Sequence, residues 1–131
     1  MPISVTGIAH VGIRVHQLQR SVAFYELLGF TKTAGPVGPE PVAVLHHPAG
    51  IEINLILNAA EGEVPNPLMD VPGKLPGYTH VALWVADLDA ACRDLEAAGF
   101  PITERATFPG GQQAAFVRDP DRNVVELDQR N

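Results

Sequence analysis

Apolar and polar residues alternate along two short stretches that repeat each other. Val11, Ile13 and Val15 share one parity, and His10, Gly12 and Arg14 share the other. Val81, Leu83 and Val85 oppose His80, Ala82 and Trp84 in the same way. Period-two alternation predicts a strand with one covered face in each place. Behind each strand the period changes to helical. Leu88, Ala91, Cys92, Leu95 and Ala98 make an apolar stripe, with Asp87 placed to cap its start and Gly99 to stop it. The first copy of this helix spans about Gln17 to Leu28 and ends at Gly29.

Three strand candidates follow each helix. In the first half they are about 31–33, 42–45 and 51–57. In the second they are about 102–106, 113–118 and 124–128. The turns between the last two of each set, His47-Pro48-Ala49-Gly50 and Asp119-Pro120-Asp121-Arg122-Asn123, hold the residues that turns require. Each half therefore reads as β-α-β-β-β, over about 5–57 and 77–129. The stretch from about 58 to 76, with Pro65, Pro67, Pro72 and Pro76, reads as the linker between them.

The halves are copies in detail. Gly7 to Phe30 aligns with Gly77 to Phe100 without a gap, and eight of the 24 positions are identical. Roughly one or two matches are expected by chance at ordinary residue frequencies. The predicted fold is α+β, two pseudo-symmetric modules forming an open mixed β-barrel within a single domain of residues 1–131.

Composition narrows the partners. A net charge of −6 without a Lys/Arg cluster argues against nucleic acid and anionic membranes. No run of about 18 apolar residues is present, so no membrane span is expected. The start, Met1-Pro2-Ile3-Ser4, lacks the pattern of a secretory signal, and Cys92 is the one cysteine. A reducing cytoplasm is the expected location.

The chemistry-bearing residues follow the repeat. His10 and His80 are equivalent. Glu52 and Glu126 each sit just inside a last strand between aliphatic neighbours, and they read as equivalent too. All four point away from the helix-covered faces. A carboxylate on such a strand is costly if buried without a partner. Two imidazoles and two carboxylates suit one divalent transition metal such as Zn, Ni, Co, Mn or Fe, and the carboxylates balance its charge. The expected metal set is His10, Glu52, His80 and Glu126.

The chain resembles the vicinal oxygen chelate superfamily, which includes glyoxalase I, extradiol dioxygenases, methylmalonyl-CoA epimerase, and fosfomycin and bleomycin resistance proteins. The motifs are His10-Val11-Gly12-Ile13-Arg14-Val15, Ser21-Val22-Ala23-Phe24-Tyr25 with Leu28-Gly29-Phe30, Ile51-Glu52-Ile53, Thr79-His80-Val81-Ala82-Leu83, and Phe116 to Asp121 with Val125-Glu126-Leu127. They cover nearly the whole chain in the family's order. The resemblance implies paired βαβββ modules around a metal that substrates chelate through two neighbouring oxygens. It also implies a homodimer.

A His, Glu, His, Glu set looks most like glyoxalase I, a lyase that moves a proton by way of an enediolate stabilised by the metal. In that pattern Glu126 is the base, and Glu52 remains a ligand or shuttles the proton on the other face. Arg14 matches an arginine that helps hold a glutathione carboxylate. The asparagine expected four residues beyond the first glutamate is replaced by Ile56, and Pro109 stands where a basic residue precedes Gly110-Gly111. The substrate implied is a small molecule with adjacent oxygen atoms, not glutathione-conjugated in the usual way. An Fe(II) extradiol-type dioxygenase using His10, His80 and Glu126 stays open, as does a small-molecule-binding resistance protein.

The remaining residues have two readings each. Arg14 clamps a substrate anion or makes an internal salt bridge. Trp84, at the equivalent place, is cavity wall or packing, and Asn54 and Asp128 support the site or are incidental. His46-His47 is a surface pair or lies at the cavity mouth. Phe108-Pro109-Gly110-Gly111 covers the site or is an ordinary hairpin connection.

Overall fold

The computed structural model describes residues 1–62 and 65–131, and the chain divides into two compact units, Met1–Ala59 and Ala60–Asn131. In the first unit the order is β1 (Val11–Arg14), α1 (Leu18–Leu27), β2 (Thr31–Val37), β3 (Val42–His47) and β4 (Ile51–Ile56). The second unit repeats it with β5 (His80–Trp84), α2 (Leu88–Ala97), β6 (Ile102–Thr107), β7 (Gln113–Arg118) and β8 (Val124–Gln129). The predicted β-α-β-β-β order holds in both. β2, β3, β6 and β8 run past their expected ends, β2 most of all, β7 has its expected bounds, and β1, β4 and β5 are slightly shorter.

Each unit is a four-stranded mixed sheet, ordered β1-β4-β3-β2 in the first and β5-β8-β7-β6 in the second. The first and last strands of each unit pair in parallel, and the other pairs are antiparallel. The fold is α+β, as the alternation and helical spacing imply.

Both helices end alike because both are followed by Gly-Phe. Gly29 and Gly99 take φ of 94° and 92°, left-handed values that suit glycine. The next amides reach back five residues, Phe30 to the Tyr25 carbonyl and Phe100 to that of Leu95, satisfying carbonyls that the last turn leaves open. The starts differ. Asp87 Oδ1 accepts from the Ala90 amide at 3.0 Å, whereas Gln17 at the head of α1 makes no side-chain cap.

One parity of each sheet and the apolar stripe of each helix form the core. Val15, Phe24, Tyr25, Phe30, Ala43, Leu45, Ile53 and Leu55 are buried in the first unit. The ring of Tyr25 meets Phe24 and Phe30 edge to face, at 4.9 and 6.2 Å between centroids. Leu88, Cys92, Leu95, Ala115, Val117, Val125 and Leu127 are buried in the second, so Cys92 is the small buried hydrophobe its position suggested. Burying each large side chain contributes roughly 1.5–3 kcal/mol.

The expected linker does more than connect. From Ala60 on, its described part belongs with the second unit, where Asn66 donates to the Arg122 carbonyl at 3.1 Å. Asp70 accepts from Arg118 through both oxygens at 2.9 Å, and from Arg122 Nε at 2.7 Å. The segment is thus clasped to the β7–β8 turn. Glu63 and Val64, also in the expected linker, lie outside the described residues. No helix of the described residues is long and apolar enough to cross a membrane.

Candidate metal centre

Each unit presents a histidine and a glutamate on the polar parity of its parallel strand pair. In the second unit His80 Nε2 lies 3.1 Å from Glu126 Oε1. The ring's other nitrogen, Nδ1, is 2.8 Å from Thr79 Oγ1, and its face meets Phe116 at 5.9 Å between ring centroids. The ring is therefore held on two sides with Nε2 toward the carboxylate. Glu126 is buried, unlike most carboxylates. Burial, followed by the neighbouring Asp128 carboxyl, pushes its pKa up to about 7.

The first unit is arranged differently. His10 lies just before β1 and approaches Glu52 through Nδ1, at 3.7 Å from Oε2. Glu52 Oε1 is bonded instead to His46 Nε2 at 3.0 Å, and His46 Nδ1 to Thr33 Oγ1 at 2.7 Å. Thr33, His46, Glu52 and His10 form a row across the sheet.

The strand ladders explain the difference and correct the expected equivalence of the glutamates. In the first unit Gly12 pairs with Asn54 and Arg14 with Ile56. In the second Ala82 pairs with Glu126 and Trp84 with Asp128. Gly12 and Ala82 are repeat equivalents, so the first-unit counterpart of Glu126 is Asn54. Glu52 stands two residues earlier, level with Val124. The antiparallel pairs agree, since Val44 faces Asn54 as Phe116 faces Glu126. The repeat offset is 82 − 12 = 70 through β6 and 126 − 54 = 72 from β7 onward. The two extra residues fall between Glu104 and Ala114, ten positions apart where Ala34 and Val42 are eight, a stretch that contains Phe108-Pro109-Gly110-Gly111. That stretch closes as a hairpin, with the Phe108 amide on the Gln112 carbonyl at 2.8 Å.

Asn54 and Asp128 share a property. Each has a buried side-chain oxygen, Oδ1, without a hydrogen-bond partner in the structure. Such atoms are uncommon because an unpaired buried acceptor loses its water without replacement. An unpaired buried acceptor on the face of a His–Glu pair suits a cation, and imidazole nitrogens with carboxyl or amide oxygens are donors that a borderline divalent metal accepts. The residues present fit such an ion. Among the described residues no three His, Cys, Asp or Glu side chains cluster as a ready ligand set.

Around these pairs lie the other expected site residues. Arg14 Nε donates to Asn58 Oδ1 at 2.9 Å, and Asn58 Nδ2 donates to Glu40 at 3.1 Å. Asn58 is four residues beyond Asn54. Once Asn54 is taken as the counterpart of Glu126, the asparagine that Ile56 seemed to replace is present beside Arg14. Trp84 is half exposed, and the Arg130 guanidinium lies 4.0 Å over its ring.

His46 is the residue that strand parity underrated. It lies on β3, directly across the ladder from Glu52. The signal was available, because once Pro48-Ala49-Gly50 is the turn, His46 and Glu52 must face each other. His47 points the other way, edge-on to Phe30 at 5.1 Å between ring centroids.

The chain is similar to known proteins over nearly its whole length. A lactoylglutathione lyase of Haemophilus influenzae is 33% identical over 129 residues, covering 92% of this chain and 90% of that protein. A lactoylglutathione lyase of Schizosaccharomyces pombe is 30% identical over 130 residues, which are 90% of this chain but 43% of that longer protein. A glyoxylase/bleomycin resistance protein/dioxygenase domain from Frankia superposes with a TM-score of 0.81 at 23% identity, over 98% of this chain and 100% of that one. The family model described as Glyoxalase/Bleomycin resistance protein/Dioxygenase superfamily matches residues 7–127, and the chain belongs to that superfamily.

Proposed function

We propose that this chain is a divalent-metal-dependent lyase or isomerase. It moves a proton between adjacent oxygen-bearing carbons of a small substrate. His10, His80, Glu126 and a donor from β4 hold the ion, the pair from each unit serving one centre, within one chain or between two copies. When bound, the ion supplies Lewis-acid polarisation of two neighbouring substrate oxygens. The observation that carries the reading is the pair of His80 with the buried Glu126, 3.1 Å apart, and its first-unit counterpart on the same parity. The names of the relatives, both lactoylglutathione lyases, favour proton transfer over oxygen chemistry.

Glu126 is the base in this reading. Burial and the neighbouring Asp128 raise the proton affinity of its metal-free carboxyl, and a positioned carboxylate takes and returns the proton in this reading. Thr79 fixes the His80 ring by its Nδ1, leaving Nε2 for the ion. Arg14 with Asn58, and Trp84 with Arg130, lie farther along the same strand pairs and orient the substrate body.

The test is metal content and chelation. Purified protein should carry a divalent transition metal, and its removal should abolish exchange of the α-hydrogen of an α-hydroxycarbonyl substrate with deuterated water. Exchange that survives complete metal removal would defeat the reading. Protein that never takes up metal would point to the resistance-protein branch of the superfamily.

A further inference from the structure

We infer that the β4 donor of this centre is Asn54, and that Glu52 orients His10 instead of binding the ion. The inference rests on the metal-dependent reading above and specifies its ligand set as two histidines, one carboxylate and one amide oxygen. The first observation is the ladder. Glu126 is the partner of Ala82, two residues past His80, and that offset brings it to His80 Nε2. The residue with the same relation to His10 is Asn54, the partner of Gly12.

The second observation is what each side chain already does. Glu52 is engaged at both oxygens, Oε1 by His46 at 3.0 Å and Oε2 near His10 Nδ1 at 3.7 Å. Asn54 Oδ1 is buried and has no partner in the structure. An acceptor waiting for a cation has these attributes, and a carboxylate shared between two imidazoles does not.

The third observation is the choice of ring nitrogen. Thr79 holds His80 by Nδ1 while Nε2 looks toward Glu126. Glu52 approaches His10 by Nδ1 as well. In both units, then, the side chain given no ligand role lies on the Nδ1 side, at hydrogen-bond distance for Thr79 and at ion-pair distance for Glu52, and leaves Nε2 for the metal, the usual division of labour around a metal-bound imidazole. One carboxylate instead of two leaves the loaded centre one positive charge richer.

The test reads the ligand set directly with Co(II) and Zn(II) on the purified full chain. The d–d absorption of bound Co(II) reports its donors, and equilibrium dialysis gives stoichiometry and affinity. Glu52→Gln should keep the parent's stoichiometry and Co(II) spectrum, with affinity lowered by about tenfold, as for loss of an orienting partner. Asn54→Ala should change the spectrum. Asn54→Asp should change it too and tighten Zn(II) by about tenfold, because a carboxylate then occupies the slot. Circular dichroism confirms that each variant is folded, and Asn54→Asp keeps the test decisive if Asn54→Ala is not.

A Co(II) spectrum altered by Glu52→Gln puts Glu52 in the ligand set and overturns the inference, while the metal-dependent reading stands. Spectra unchanged by either Asn54 variant overturn it equally. A parent that binds neither ion overturns the metal reading itself, a result separable from the other two.

Discussion

Arg14 and Asn58 are joined across 44 residues of chain by a 2.9 Å hydrogen bond from Nε to Oδ1. The second unit answers this pair with another. Trp84 stands where Arg14 does, Arg130 where Asn58 does, and the guanidinium lies 4.0 Å over the indole. The repeat has preserved a cation held by a neighbour at the end of each parallel strand pair, while exchanging which strand supplies it. Such a position suits recognition of a substrate's body, at a distance from the reacting carbons.

The first-unit pair bears on glutathione. Asn58 passes its own amide hydrogen to Glu40, so a carboxylate already sits at this end of the site. A second carboxylate from substrate would meet its repulsion. The hemithioacetal of methylglyoxal and glutathione should therefore be turned over weakly, with a high KM. Glu40→Gln should lower that KM by about two- to fivefold, the range expected of an exposed charge. Efficient turnover by the parent at low substrate concentration would contradict this account.

Asp70 ties the described part of the inter-strand segment to the β7–β8 turn. Arg122 and Arg118 hold its carboxyl well below the usual carboxylate range. A carboxyl depressed in the folded state contributes stability above its unfolded pKa and loses it as pH falls. Asp70→Asn should lower stability by about 2–3 kcal/mol at pH 7, since Asp70 and Arg118 are both largely shielded from water. The gap between parent and variant should narrow steadily as pH drops from about 5, where the unfolded carboxyl begins to protonate. Thermal midpoints across that range check the sign. A gap independent of pH would mean that the charge of Asp70 contributes nothing.

Cys92 offers a check on packing. Burial pushes its thiol above the ordinary value and closes it off from reagents. A disulfide reagent should label the native protein slowly, and rapidly only in denaturant. Fast labelling at neutral pH without denaturant would show that α2 does not stay seated on its sheet.

The elements were legible because their signals are local. Alternation at His10–Val15 and His80–Val85 set the strand faces, Asp87 marked a helix start, and Gly29 and Gly99 marked the stops. The rung was less legible. Slipping a strand by one residue reverses its faces, but slipping it by two restores them. Glu52 and Asn54 therefore satisfy strand parity equally, and only the ladder separates them. The two residues added between Glu104 and Ala114 moved the repeat offset beyond the reach of an ungapped comparison. His46 was missed for a related reason. Its role depends on pairing across a hairpin, and a histidine beside a turn looks like surface until that pairing is drawn.

The chemistry at Glu126 separates proton transfer from oxygen activation. Glu126→Gln keeps the side chain's size and one oxygen donor while removing its capacity to accept a proton. Under the proposed reading it should retain part of its bound metal and lose exchange of the substrate's α-hydrogen with deuterated water by about 10²–10⁴-fold, the usual contribution of a positioned base. Zn, Ni or Co should each support the parent, because nothing is oxidised. The first requirement is a substrate, found by screening α-hydroxycarbonyl compounds alongside catechols. His10→Ala and His80→Ala proteins serve as controls that should fall in metal content as well as in exchange. Oxygen uptake with a catechol, dependent on added Fe(II), would overturn the lyase or isomerase reading. It would leave His10, His80 and Glu126 as the two histidines and one carboxylate that such a dioxygenase needs.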